Sequence, residues 1–293
     1  MKTRDRACQR LVIKIGSSVL TDDRGRLLPE RLERLVEQVV AAAKADRQPL
    51  LVSSGAIACG MASLGLTRRP TALAQLQACA AIGQGELMHR YTEAFRTRGV
   101  LTAQVLLTQD DLANRTRFRN AKQTLLTLLH RRVVPVINEN DTVAVEEITF
   151  GDNDRLAALV ASAVDARLLV ILSDVDGVLR NGRVLARIDP SAPGSTLPRL
   201  DPRSRSGSLA IAQDVRPRGS KRQTTKGGMA SKLEAARIVG HSGIPLVIAN
   251  GTRPHVLTDL LAGCSIGTLF VPPRGRLSSR TWDSAWAQFR MTL

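Results

Sequence analysis

Five short polar segments follow apolar runs in this sequence, and each carries residue types that could bind a ligand. In residues 14–18 a lysine near the end of an apolar run precedes a Gly-Ser turn, whose backbone N–H groups could bind a phosphate. In residues 53–58 small residues could bring a hydroxyl and backbone donors close to a ligand. A lysine at a sheet edge that extends to solvent, and an ordinary helix cap, would use the same residue types.

Two further segments combine carboxylates with amides. Residues 138–141, Asn-Glu-Asn-Asp, follow the apolar run 133–137, and residues 151–154, Gly-Asp-Asn-Asp, begin a helical pattern. These side chains are unsuited to a phosphate but could hold an α-amino group, although helix caps use the same types. The spacing and closing Glu of an EF-hand loop are missing, which excludes that calcium site.

The fifth segment joins Ser173-Asp174 with Gly227-Gly228, the latter at the beginning of a helical pattern. Two glycines before a helix leave N–H groups open to phosphate. Lys232 lies in the first helical turn, where a positive charge is unfavourable unless an anion is near. The spacing departs from G-x-x-x-x-G-K-[ST], which excludes a P-loop NTPase.

Apolar runs alternate with helical patterns along the chain, which predicts an α/β fold of parallel strands joined by crossover helices. The predicted strands are residues 11–15, 50–53, 101–106, 133–137, 168–172, 246–249 and 268–271. The predicted helices are residues 29–45, 72–98, 117–131, 153–164, 229–242 and 256–261. Two β-hairpins are predicted, at 143–150 and at 178–188 with an Asn181-Gly182 turn. Ligands gather at the carboxyl ends of strands in such sheets, where these segments lie.

Composition supports a packed α/β protein in a reducing compartment. The 293 residues suit one large domain or two small ones, and 43% apolar content is ample for a core. The four cysteines are scattered, with no C-x-x-C pair. The apolar run after the basic residues 1–10 is far too short for a signal peptide or membrane span. We therefore predict a cytoplasmic protein without a membrane partner.

The formal net charge of +16 raises nucleic-acid binding as a rival function. Lysine and arginine are densest in residues 199–226, inside a loop-like stretch at 190–225 that is rich in Pro, Ser, Gly and Arg. A solvated basic loop and a polyanion-binding segment both fit this pattern.

Eight sequence strings resemble those of the glutamate 5-kinases of the amino acid kinase family and occur in the same order. They are VIKIGSSVL, SSGAIACG, QVLLT, RFRNAKQTLLTLL, VPVINENDTVA, FGDNDRLAALVA, LSDVDGVL and GGMASKLEAA, which together span about residues 10 to 272. Among amino acid kinases, the combination of INEND, FGDND and GGMASK is highly specific to the glutamate 5-kinases. The resemblance implies a three-layer αβα sandwich with a mostly parallel central sheet. It implies one domain over residues 1–272 and a tail at 273–293 in place of the PUA domain of many relatives.

The implied reaction is transfer of the ATP γ-phosphoryl group to the side-chain carboxylate of L-glutamate, with Mg²⁺ on the nucleotide, in proline synthesis. Lys14 and Lys232 would flank the phosphoryl group, and Asp154 would orient them. The residues implied to bind glutamate are Ser54, Gly55, Ala56, Asn138, Asp141, Asp152 and Asn153. Those implied to bind ATP are Lys14, Ser173, Asp174, Lys226, Gly227, Gly228, Met229, Ala230, Ser231 and Lys232. No residue is assigned as a metal ligand.

The resemblance also implies a dimer or tetramer, and feedback inhibition by L-proline. One segment departs from the family pattern, because residues 220–226 read Ser-Lys-Arg-Gln-Thr-Thr-Lys where relatives are glycine-rich. Lysine and arginine there could bind phosphates by charge or could obstruct the nucleotide. Two alternatives therefore stay open: an impaired or redirected kinase acting on another small carboxylate, carbamate or phosphate, and a basic nucleic-acid-binding protein on a kinase scaffold.

Overall fold

A computed structural model describes residues 10–22, 24–144, 153–189 and 228–272 of the chain. The strands are β1 Arg10–Ile15, β2 Gln48–Ser53, β3 Thr102–Leu107, β4 Val134–Glu139, β5 Leu168–Ser173, β6 Leu179–Arg180, β7 Arg183–Val184, β8 Arg187–Ile188, β9 Leu246–Asn250 and β10 Thr268–Phe270. The helices are α1 Ser17–Leu20, α2 Pro29–Lys44, α3 Ala56–Ser63, α4 Leu73–Arg96, α5 Gln109–Ala113, α6 Arg115–His130, α7 Asp154–Ala163, α8 Met229–His241 and α9 Val256–Leu261.

An eight-stranded sheet forms the middle layer, with the strand order β3-β4-β2-β1-β5-β9-β10-β8. The neighbouring pairs run parallel, except that β10 runs antiparallel to β9. Strand β1 lies between β2 and β5, with Lys14 beside Val52 on one side and Ile171 on the other. The carboxyl ends of β1, β2, β4 and β5 therefore meet at one edge of the sheet.

Helices cover both faces of this sheet and complete the three layers. On one face, α2, α4 and α9 pack against alternate residues of the central strand, including Leu11 and Ile13. On the other face, α6, α7 and α8 pack around Val12. Because successive strand residues point to opposite faces, Lys14 lies on the Val12 side, towards α7 and α8. The predicted three-layer αβα sandwich is confirmed.

All predicted strands and helices are present, with ends within two residues of the prediction. The Asn181-Gly182 turn joins β6 and β7 with positive φ at both residues, 52° and 74°, as a tight hairpin requires. The prediction for the second hairpin was too long, because residues 187 and 188 leave it and pair with β10 in the main sheet. Helices α1, α3 and α5 were not among the predicted helices. With four, eight and five residues, these helices are too short to show a hydrophobic period.

Several predicted features lie outside the described residues. These are the first hairpin from residue 145 onward, the loop at 190–225 with its basic segment, and the tail with Trp282 and Trp286. Within the described ranges, none of the helices has the length and apolar content needed to cross a bilayer.

Candidate active site

Lys14 occupies a buried position near the end of the central strand β1. Only 3% of the residue is exposed, and its Nζ lies 2.7 Å from Asp154 Oδ1. The alternative of an edge lysine extending to solvent is wrong, because strands flank β1 on both sides. A buried ammonium group needs a charged partner, and Asp154 supplies it.

Asp154 is the first residue of α7 and pairs with lysines from two distant parts of the chain. Its carboxylate is fully buried, and its Oδ2 lies 3.1 Å from Lys232 Nζ. Ser231 Oγ donates to the same oxygen at 2.9 Å. The anion that Lys232 needs in the first turn of α8 is therefore present within the chain. Two ammonium groups share one carboxylate, so these three side chains together carry a formal charge of +1, which suits a site for a phosphoryl group.

A second polar group lies at the carboxyl ends of β2 and β4. Asn153 Nδ2 donates to the backbone oxygen of Ser53 at 2.5 Å and to Asn138 Oδ1 at 2.7 Å. Asn138 Nδ2 donates in turn to Gln84 Oε1 at 2.6 Å. Gln84 belongs to α4 and was not predicted as a site residue. Its sequence context, a polar position in an amphipathic helix, carried no signal of this contact.

The Ser54 segment, residues 53–58, begins at the end of β2, which lies between β4 and β1 in the sheet. It is therefore placed between the amide pair Asn138–Asn153 and the charged cluster around Asp154. Gly55 has φ of 108°, a backbone conformation that favours glycine, and a side chain there would come within 4.0 Å of Ser17 Cβ. The segments after β1 and β2 therefore lie close together. Ser54 Oγ is buried and forms no hydrogen bond within the described part of the chain. A buried hydroxyl without a partner is costly, so Ser54 is well placed to bind a ligand.

Asp141 is half-buried in the turn after β4. Burial raises the pKa of its carboxyl to about 6, and the positive charge of Arg69 opposes part of that rise. The carboxyl is thus ionised at neutral pH but at a cost that a bound cation would relieve. This property suits the predicted role in holding an amino group.

The predicted nucleotide residues follow β5 and begin α8. Ser173 Oγ donates to Asp174 Oδ1 at 3.1 Å, and Asp174 is exposed at the strand end. Gly228 precedes α8, Met229 is half-buried and Ala230 is exposed. Their contact with ATP stays a prediction. Asp152, Lys226 and Gly227 lie outside the described residues.

Comparison with known proteins identifies the family. The model of the amino acid kinase family matches residues 9–250. This chain belongs to the amino acid kinase family.

Curated proteins named glutamate 5-kinase are similar to it over most of its length. The protein of Geobacter metallireducens is 47% identical over 272 residues, which cover 93% of this chain and 70% of the relative. Those of Salinispora arenicola and Thermus thermophilus are 48% and 46% identical, covering 98% and 94% of this chain and 74% and 71% of the relatives. The resemblance carried by the sequence strings is confirmed.

A solved structure supports the fold. The isopentenyl phosphate kinase of T. acidophilum aligns with a TM-score of 0.56 at 16% identity, covering 89% of this chain and 99% of that chain. At this identity the likeness establishes the shared fold.

Proposed function

We propose that this protein catalyses the ATP-dependent phosphorylation of the L-glutamate side-chain carboxylate to L-glutamyl 5-phosphate, the first step of proline biosynthesis. One observation carries the proposal: Lys14 and Lys232 both contact the buried carboxylate of Asp154 beside the polar residues at the ends of β2 and β4. The similarity to curated glutamate 5-kinases supports the same reaction.

The acceptor needs no general base. A side-chain carboxylate with a pKa near 4.3 is already ionised at neutral pH, so it can attack phosphorus without losing a proton. Catalysis then consists of positioning and of neutralising charge. Lys14 and Lys232 supply two ammonium groups for the equatorial oxygens of the phosphoryl group, and Asp154 holds both groups in place before reaction.

The remaining residues divide into two halves of the site. On the glutamate side, Ser54 offers a buried hydroxyl that has no hydrogen-bond partner among the described residues, and Asp141 offers a carboxylate for the α-ammonium group. Gly55 and Ala56, which follow Ser54 directly, would offer backbone N–H groups to the substrate. On the ATP side, Ser173, Asp174 and the start of α8 surround the nucleotide.

Magnesium fits this arrangement as an ion bound chiefly by the nucleotide. The described residues include no group of three or more His, Cys, Asp or Glu side chains able to hold a metal ion. Mg²⁺ in kinases uses one or two carboxylates together with substrate phosphates, and Asp174 is an exposed carboxylate at the nucleotide side. When bound, the ion would neutralise negative charge on the β- and γ-phosphates.

A hydroxylamine assay tests the reaction directly. Purified protein with ATP, Mg²⁺ and L-glutamate is expected to form a hydroxamate, because hydroxylamine traps an acyl phosphate. Product with aspartate or another small carboxylate, and none with glutamate, would support the redirected-kinase alternative. Absence of product with every acceptor would contradict the kinase proposal.

The other implied properties are proposals with their own tests. We expect inhibition of turnover by L-proline, a dimer or tetramer by light scattering, and a cytoplasmic location by cell fractionation. The nucleic-acid alternative depends on residues 199–226, and filter binding across a salt series addresses it. Binding through phosphates must weaken steeply as salt rises.

A further inference from the structure

Three side-chain amides form a hydrogen-bonded chain from helix α4 to the glutamate side of the site. Gln84 Oε1 accepts from Asn138 Nδ2 at 2.6 Å, and Asn138 Oδ1 accepts from Asn153 Nδ2 at 2.7 Å. Asn138 and Asn153 are buried, and Gln84 is half-buried. Amides with so little access to water depend on one another for their hydrogen bonds.

Backbone groups at two points fix which way each amide faces. The N–H of Glu139 donates to Asn138 Oδ1 at 2.9 Å, so the amino group of Asn138 must face Gln84. The backbone oxygen of Ser53 accepts from Asn153 Nδ2, so the amino group of Asn153 faces Ser53 and Asn138. Reversing any one of the three amides would place two donors or two acceptors together.

Among the residues that the structure describes, this arrangement leaves Oδ1 of Asn153 without a hydrogen-bond partner. Asn153 is the N-cap residue of α7, a position where asparagine usually accepts from an N–H of the first turn. Here its side chain forms no capping bond. Its Nδ2 already donates twice, so the remaining polar atom is Oδ1. A carbonyl oxygen, together with the Asp141 carboxylate that follows the same strand as Asn138, suits a ligand ammonium group.

Hydrogen bonds join helix α4 to the segments that form this side of the site. Gln77, Gln84 and Tyr91 recur at intervals of seven residues and so lie on one face of the helix. Gln77 Nε2 donates to the backbone oxygen of Ala144 at 3.3 Å. Tyr91 OH lies 3.0 Å from Ser53 Oγ in a fully buried contact. A single helix face therefore contacts the last residue of β2 and the chain after β4.

We propose that Gln84 is a positioning residue for the amino-acid substrate, an inference that rests on the proposed function. By accepting from Asn138 Nδ2, Gln84 keeps the Asn138–Asn153 pair in the orientation that leaves Asn153 Oδ1 for the substrate's α-ammonium group. Without that acceptor, a buried N–H of Asn138 loses its partner and the pair rotates to recover one. The effect falls on glutamate binding, because Gln84 lies on the glutamate side and not beside the lysines.

Steady-state kinetics of three variants test this role. Gln84→Leu is expected to raise the KM for glutamate roughly tenfold, while the KM for ATP changes less than about twofold. Gln84→Glu keeps an acceptor and should recover most of the affinity. Gln75→Leu is the matched control, since Gln75 is an exposed residue of the same helix. If Gln84→Leu fails to fold, Gln84→Asn replaces it, because the shorter side chain moves the acceptor oxygen away from Asn138 Nδ2 and keeps the amide. The same rise in the glutamate KM is then expected.

A double substitution separates positioning from general damage. If Gln84 acts through Asn138, the Gln84→Leu, Asn138→Ala protein should lose no more glutamate affinity than Asn138→Ala alone. Additive losses, or an unchanged glutamate KM in Gln84→Leu, would overturn the inference while leaving the proposed function intact. A wild-type protein without glutamate-dependent turnover would overturn the proposed function and this inference with it.

Discussion

The ammonium group of Lys232 lies 3.1 Å from Oδ2 of Asp154, and solvent reaches almost nothing of either side chain. Lys14 holds the other carboxylate oxygen at 2.7 Å. Burying three charged groups together has a large desolvation cost, so this cluster adds little to the stability of the fold. Such clusters are typical of functional sites that bind or transfer charged groups.

Replacing Lys232 by Met should abolish most turnover while the protein stays folded. The variant removes one of two ammonium groups assigned to the phosphoryl group, and the loss of such a donor costs on the order of 10² to 10³ in kcat. Asp154 keeps Lys14 and Ser231 as partners. Initial rates and circular dichroism measure the two effects. Lys122→Met is the control, since Lys122 pairs with Asp165 at the surface. A Lys232→Met protein retaining more than a tenth of the rate would remove Lys232 from its role.

Replacing Asp154 by Asn should lower the unfolding temperature and make it depend on added anions. The change removes the carboxylate that two buried ammonium groups share, and breaking such a cluster costs about 3 to 5 kcal/mol. Sulfate or phosphate should restore part of the loss by occupying the site. The measurement is thermal unfolding over a sulfate series, against Asp165→Asn as an exposed control. Equal anion dependence in the wild type and Asp154→Asn would contradict the charge argument.

The KM for glutamate should rise as pH falls below about 6, the value to which burial raises the pKa of Asp141. Protonation removes the charge assigned to the substrate ammonium group, so KM can rise up to about tenfold per pH unit. Rates should be measured between about pH 5.5 and 8, a range in which the substrate carboxylates stay ionised. Asp141→Asn should have a high KM throughout that range. A wild-type KM that is flat across pH 6 would separate Asp141 from substrate binding.

The same carboxyl should reduce stability at neutral pH. Its pKa is about 6 in the folded protein and near 3.8 when unfolded, so the folded state binds the proton more tightly. The stabilisation that comes from this tighter proton binding is complete below pH 3.8 and is lost as the pH rises through 6. Asp141→Asn should therefore unfold a few degrees higher than the wild type at pH 7.5 and close to it at pH 4. The exposed Asp46→Asn provides the comparison. A lower unfolding temperature at pH 7.5 would contradict the assigned pKa direction.

Gly83→Ala should damage the Ser54 segment by separating α3 from α4. A Cβ at residue 83 would lie 1.9 Å from the backbone oxygen of Ala56, so the helices must move apart. Overpacking of this kind costs about 1 to 3 kcal/mol, and glutamate affinity should fall with stability. Gly85→Ala is the matched control on the same helix, because its Cβ would meet nothing within 4 Å. Calorimetry and the glutamate KM measure both effects. Similar behaviour of the two alanine variants would refute the close packing.

The sequence alone determined the order and nature of the longer helices and of the main strands, but not the short helices α1, α3 and α5. Alternating apolar runs and helical patterns placed strands and helices to within two residues, because burial on both faces of a parallel sheet leaves continuous apolar strands. The Asn181-Gly182 pair predicted its turn, because these residues tolerate positive φ. The segments at the strand ends could also be predicted, since parallel strands bring their carboxyl ends to one edge.

Only the tertiary structure decided how those segments combine. A lysine in an apolar run fits a sheet edge and a sheet centre equally, and the order β2-β1-β5 settled the position of Lys14. The first-turn charge of Lys232 predicted an anion without saying which one, and the packing of α7 against α8 supplied Asp154. The role of Gln84 could not be predicted from the sequence, because its partner Asn138 lies 54 residues away and contacts it only through the packing of α4. Local patterns fix local structure, whereas partners of buried polar groups depend on contacts between distant parts of the chain.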